Sequence, residues 1–219
     1  MKRITLSALL MTLFLLMSCN NSASSPKDGQ AAKSDGTLID LAKITNNITE
    51  AVAFAKSVTE IHTLVKSIDD LAKAIGKKIQ NQDILGTDSG KNTALIAGVF
   101  SITLDIVKKS KALQIPEFIK DQQILTQKVR GVTTSVEAFI NKLKNKTVEL
   151  AVDSGATTDD NAQKAIDRNE KPSGENGAKE LGELNTAIDE LLKAANGAVT
   201  AAMKELTTPA KLASTAQSN

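Results

Sequence analysis

The chain has 219 residues, 27 basic and 25 acidic side chains, one cysteine, one histidine, five phenylalanines, and neither tryptophan nor tyrosine. That length suffices for one domain with a substantial core, while a single cysteine excludes an intramolecular disulfide. No second histidine or cysteine exists to complete a zinc site or a cysteine–histidine pair. A nucleic-acid reader is also disfavoured, because the charge is nearly balanced and aromatic stacking platforms are scarce.

Lys2 and Arg3 precede an uncharged apolar run from Ile4 to Met17, the layout of a secretory signal peptide over residues 1–18. The run is shorter than the roughly 20 residues that a membrane span needs. Leu16, Met17 and Ser18 leading into Cys19 resemble a bacterial lipobox, with Met17 departing from the small residue usual at its position. That resemblance implies cleavage before Cys19, a thioether to diacylglycerol and an acylated amino terminus, so Cys19 is the candidate lipidation site and the membrane a partner through its acyl chains. Each buried methylene contributes about 0.8 kcal/mol, so several chains on one residue hold a protein stably where one would not. Removing residues 1–18 takes Lys2 and Arg3 and no acid, which leaves 25 basic and 25 acidic side chains. The slight positive charge belongs to the discarded segment, and global attraction to nucleic acid or anionic lipid loses its basis.

After Cys19, NNSASSPKDGQAAKSDGT at 20–37 carries almost no large apolar side chain and cannot bury enough surface to offset its ordering entropy. Residues 19–37 therefore read as a lipidated cysteine and flexible tether, with a span of roughly 20–25 Å.

From 38 onward the apolar residues Leu41, Ile44, Ile48, Val52, Ala55, Val58, Ile61, Val65, Ile68, Ala72, Ile75 and Ile79 recur about every 3.45 residues, close to a coiled-coil repeat. A helix over 38–79 is expected, about 63 Å long at full extent, unless Gly76 ends it early. Whether a small hairpin interrupts the chain after 76 is left open. A second helix is expected from Asn92 to Leu113, and a third from after Pro116 to Leu150, with Gly131 weakening its middle. Residues 151–177 are polar and glycine-bearing, with the pattern of a short helix at Thr158–Arg168 capped by Thr158. A last helix is expected over Ala178–Leu206, stopped by Thr207-Thr208-Pro209, with a disordered tail at 208–219.

No segment sustains period-two alternation between hairpin turns. The expected fold is all-α, an elongated antiparallel bundle of four long helices plus a short one over residues 38–207. Up-down-up-down order puts both chain ends at one end and the segments 80–91 and 151–177 at the other. Such long helices leave apolar surface for a second subunit, so a homodimer is expected, though the pattern fits a monomer too.

Candidate sites are few. His62 lies beside the seam residue Ile61, where a structural role on a helix face outweighs acid-base or metal chemistry. Asp69-Asp70 and Asp159-Asp160 are adjacent pairs whose side chains diverge by about 100° on a helix; solvated faces or charge at a helix N-terminus account for them. Gly86-Thr-Asp-Ser-Gly90-Lys91-Asn92-Thr93 imitates a phosphate loop but is one residue short between its glycines and has Asn92 where a magnesium-binding hydroxyl belongs. It reads better as a turn with Asn92 or Thr93 starting the next helix. Lys142 and Lys146 share a helical face and are the candidate contacts for an acidic ligand such as a sulfated glycosaminoglycan, with Lys108, Lys109 and Lys111 as a second group; a solvated face is the plainer reading. Phe100, Phe118 and Phe139 fall in apolar helical contexts and are expected in the core. Neither a cofactor, a metal nor a catalytic site is expected.

The opening MKRITLSALLMTLFLLMSCNNS, SIDDLAKAIGKKI at 67–79, GAKELGELN at 177–185 and KELTTP at 204–209 resemble the variable small proteins of relapsing-fever Borrelia, relatives of outer surface protein C of Lyme Borrelia. The resemblance spans essentially the whole chain. It implies a helical, often dimeric lipoprotein on the outer face of the spirochaete outer membrane, subject to antigenic variation, met by host antibodies and engaged with host or vector components. The alternative that the same anchor and bundle permit is a periplasm-facing structural or transport-accessory lipoprotein.

Overall fold

The structure, a computed structural model, describes residues 30–32, 38–119, 122–151 and 156–206. Cys19, the signal segment, most of the expected tether and the tail at 208–219 lie outside the described residues. The chain divides into two units, one before Lys43 and one from Lys43 to Thr208. In the first, β1 (Gln30–Ala32) pairs antiparallel with β2 (Leu38–Asp40), so three residues assigned to the tether form a strand.

The second unit is a helical bundle. Its long helices are α1 (Leu41–Ala72, whose first two residues precede the unit boundary), α2 (Thr93–Lys111), α3 (Gln122–Asn145) and α6 (Ala178–Glu205). The short α4 (Thr147–Leu150) and α5 (Asp159–Ile166) lie between the last two. Cross-links fix the order. Lys109 meets Glu60 at 2.9 Å between α2 and α1, and Lys111 meets Glu137 at 2.7 Å between α2 and α3. Lys128 meets Glu190 at 2.8 Å and Lys142 meets Glu180 at 3.0 Å between α3 and α6. Asn47 donates to Glu205 at 3.0 Å and His62 meets Asp189 at 2.9 Å between α1 and α6. Each helix is thus antiparallel to its neighbours in a closed ring, the up-down-up-down arrangement expected.

The core follows the helical stripe. Val58, Ile61, Val65 and Ile68 of α1, Val99 and Ile106 of α2, Val132, Val136 and Phe139 of α3, and Leu181, Leu184, Ile188 and Leu191 of α6 are fully buried. Each large side chain contributes about 1.5–3 kcal/mol of transfer free energy. The predicted seam of α1 holds from Ala55 onward. Before it, the buried positions are Ile44, Asn47, Ala51 and Phe54, while Ile48 and Val52 are only half-buried. The cause is the length of α2: its last turn reaches α1 only at Glu60, so below that level the buried stripe turns toward α6, as the Asn47–Glu205 bond shows. Thr103 is fully buried without penalty because its hydroxyl donates to the Val99 carbonyl at 2.8 Å.

The first helix ends at Ala72, not at 79. A tight turn leads to Gly76 at φ +66°, a left-handed conformation that stops a helix and suits glycine. The chain then forms a hairpin, β3 (Lys77–Asn81) with β4 (Ile84–Thr87), with a bulge between Ile79 and Asn81. Ile79, expected in the seam, is instead 83 % exposed. The break at Asn145 likewise divides the expected third helix into α3 and α4.

Candidate functional site

At the end of the bundle opposite the start of α1 and the finish of α6, the hairpin, α4, α5 and the loop 167–176 form a crown. Ile79, Ile84, Leu85 and, on α4, Val148 at 87 % exposure face outward, while Leu150 of α4 and Ala162, Ala165 and Ile166 of α5 are buried. Apolar side chains held outside a core are what contact surfaces are made of.

A buried polar node anchors the crown. Asn92, 2 % exposed, precedes α2, but its side chain does not cap that helix. Its Oδ1 accepts from the Gly76 amide at 2.9 Å, while Nδ2 donates to the Thr157 carbonyl at 3.0 Å and to Asp159 Oδ1 at 2.8 Å. The same carboxylate oxygen accepts from the Gly90 amide at 2.8 Å. The Gly90 hydrogen bond, reinforced by Asn92, Ser89 and the charge of Lys77, holds the Asp159 carboxyl below its ordinary pKa. Thr157, fully buried, shares a hydroxyl–hydroxyl bond of 2.6 Å with Thr93 and reaches the Leu150 carbonyl at 3.0 Å. The stretch that imitates a phosphate loop is thereby explained: the anion that its glycine and asparagine bind is the carboxylate of Asp159. Thr93 begins α2, as expected of that turn.

The α5 segment is built as its sequence indicates. The Thr158 hydroxyl accepts from the Asn161 amide at 3.2 Å, a helix N-cap, and Asp159 and Asp160 occupy the first turn, where the helix dipole favours negative charge. Asp160 pairs with Lys164 at 2.6 Å and Lys171 at 3.7 Å. Asp69 differs from its expected solvated setting, because Arg168 of the loop after α5 grips it.

His62 takes the structural role expected, its Nε2 2.9 Å from Asp189 Oδ1, with Lys66 donating to Asn185 one turn on at 2.6 Å. Among the described residues no cluster of His, Cys, Asp and Glu could hold a metal ion, and no helix is long and apolar enough to cross a membrane. Phe139 is fully buried and Phe100 is partly buried against the core. Phe118 lines a groove of about 570 Å³ with Ile124, Leu125, Gly197 and Ala201.

Lys142 and Lys146, the candidate contacts for an acidic ligand, are both committed to carboxylates. Lys142 binds Glu180 Oε1 at 3.0 Å, and the other oxygen of Glu180 is buried with no partner among the described groups. Lys146 binds Glu149 at 3.3 Å. An acidic ligand at this face would have to compete with both. In the second basic group, Lys109 and Lys111 are spent on Glu60 and Glu137. The Asn92–Asp159 node was not singled out from the sequence; the signal available was only a polar residue at the foot of an apolar helix and an acid after a cap.

Comparison with known proteins sets this architecture in a family. A family model described as "Lipoprotein" matches residues 38–212. The chain is 42 % identical to variable small protein 11 of Borrelia hermsii over 94 % of its own length and 98 % of that protein. It is 38 % identical to outer surface protein C of Borreliella burgdorferi over 95 % of its length and 96 % of that protein. The solved structure of variable small protein 1 of Borrelia turicatae superposes with a TM-score of 0.69 at 48 % identity, covering 76 % of this chain and 98 % of the other. The chain therefore belongs to the Borrelia surface lipoprotein family that contains the variable small proteins and outer surface protein C.

Proposed function

We propose that this protein is a lipid-anchored variable antigen of the spirochaete outer surface, whose bundle presents the crown to host or vector. The observation that carries the reading is near-complete coverage of relatives named variable small protein and outer surface protein. The signal layout before Cys19 supplies the anchor. The bundle's first and last helices start and finish at the end opposite the crown, so a tether attached there would direct Ile79, Ile84 and Leu85 away from the membrane. Such a molecule acts by binding and by changing the surface that antibodies meet, without bond chemistry. The reading includes homodimerisation alongside the bundle and adhesion to a host component.

The test is proteinase K treatment of intact cells, with a periplasmic protein as integrity control. Loss of this protein while the control survives is the expected result; survival of both would place it facing the periplasm and overturn the proposal.

A further inference from the structure

The crown is assembled from segments far apart in sequence: the turn after α1 at Gly76, the loop 88–92, and the approach to α5 at 157–159. Among the described residues, the Asn92 and Asp159 side chains and the Thr93–Thr157 hydroxyl pair join them, beside two backbone bonds, from the Asp88 amide to the Gly76 carbonyl at 2.9 Å and from the Asn92 amide to the Thr157 carbonyl at 3.3 Å. Asn92 uses both ends of its amide, one toward Gly76 and the other toward Thr157 and Asp159. Asp159 Oδ1 receives both Asn92 and the Gly90 amide. The fit is close, since a Cβ on Gly76 would stand 2.7 Å from Asp159 Oδ2. The hairpin, by contrast, is a two-stranded sheet with every side chain of β3 exposed. A lone hairpin is marginal in water, so its position depends on what holds its base.

We infer that Asn92 and Asp159 form a latch that makes the β3–β4 hairpin and the Thr157–α5 segment one conformational unit, which opens as a unit when the Asp159 carboxylate loses its charge. The neutral acid is a weaker acceptor for the Gly90 and Asn92 donors, and the acceptor that both segments share weakens at the same event. The charged groups around the latch are consistent with this. Lys77 of β3 is the cation that faces Asp159, while Lys91 and Lys78 lie 4.0 Å from Asp88 on the loop. Asp160, next on α5, is neutralised by Lys164 and Lys171. A surface feature at the hairpin is thereby coupled to α5. The inference stands on this geometry and does not depend on the proposed function.

Hydrogen exchange read by mass spectrometry on the full chain tests it, using Asp159→Asn, Asn92→Ala and, as control, Asp160→Asn. Asp159→Asn should raise exchange by roughly tenfold or more in both 76–92 and 157–166, by similar factors, while the middles of α1 and α6 stay protected. Asn92→Ala should reproduce that pattern, and Asp160→Asn should leave the hairpin unchanged. Acidification of the unmutated protein through the carboxylate range, with exchange corrected for its intrinsic pH dependence, should open the same two segments. A rise in one segment alone, a uniform rise across all helices, or no change would each overturn the latch.

Discussion

Arg168 holds Asp69 with two parallel hydrogen bonds, Nε to Oδ1 at 2.8 Å and Nη2 to Oδ2 at 2.7 Å, joining the loop after α5 to α1. The two side chains are only 17 % and 15 % exposed, so this pair is shielded from the solvent screening that makes surface ion pairs weak. It fixes the 167–176 loop against the upper part of α1. Arg168→Ala should cost about 2 kcal/mol in urea unfolding, and Arg168→Lys should recover little of it, because an ammonium cannot reproduce the forked geometry. A double-mutant cycle with Asp69→Ala should show strong coupling; additive losses would reduce the pair to incidental proximity.

Two glycine substitutions should have opposite signs. Gly76→Ala places a Cβ 2.7 Å from Asp159 Oδ2 at a φ of +66°, and should destabilise by about 1–3 kcal/mol. Gly98 lies exposed inside α2 with nothing within 4 Å of an added Cβ. There Gly98→Ala should stabilise by about 0.5–1 kcal/mol through helix propensity. Thermal melts of the two variants beside the parent decide both.

The Lys142–Glu180 pair makes a prediction that separates structural from ligand-binding roles. Lys142→Ala leaves a largely buried carboxylate without its cation and should cost about 1–3 kcal/mol. Glu180→Gln in the same chain should restore part of the loss. Retention on heparin that disappears with Lys142→Ala while the melting temperature stays constant would assign the lysine to ligand contact instead.

Asp159 gives the stability a defined pH dependence. Its folded-state pKa is lowered by the Gly90 and Asn92 hydrogen bonds, so the unfolded chain takes up the proton more readily. The contribution is complete above the ordinary carboxylate range and is lost as pH falls through that range and below it. The stability gap between the parent and Asp159→Asn should be full at about pH 7 and shrink toward about pH 3. A gap independent of pH would remove the charge from the explanation.

Cys19→Ser should abolish acylation and leave uncleaved protein that no longer partitions with lipid as the mature form does. Globomycin treatment of the parent should give the same larger species. Unaltered mobility and unaltered detergent partitioning of the variant would refute the lipobox reading.

The helices were legible because burial on a helix imposes a period that the residue types record directly. Val58, Ile61, Val65 and Ile68 could occupy one stripe in no other way, and Thr158 marked the start of α5 because a hydroxyl before an acidic turn satisfies an amide that helix geometry leaves open. The lower part of α1 was less legible. Ile48 and Val52 carry a stronger apolar signal than Asn47 and Ala51, yet the latter pair face inward, since the partner on that side is set by where α2 stops. Ile79 continued the periodic pattern into a hairpin for a related reason: periodicity does not reveal that the Gly76 amide has a better acceptor in Asn92.

What the chain's own order of residues determined was the helical content, the start of the second and last long helices and the antiparallel sequence of long helices. These rest on local free energies, namely periodic burial, capping and glycine conformation. Only the tertiary structure decided which carboxylates meet which cations, that Asp69 belongs to Arg168 and Glu180 to Lys142, and that Asn92 and Asp159 close the crown. Those partners lie tens of residues apart, and nothing in a side chain's identity states which distant group folding will bring within hydrogen-bond reach.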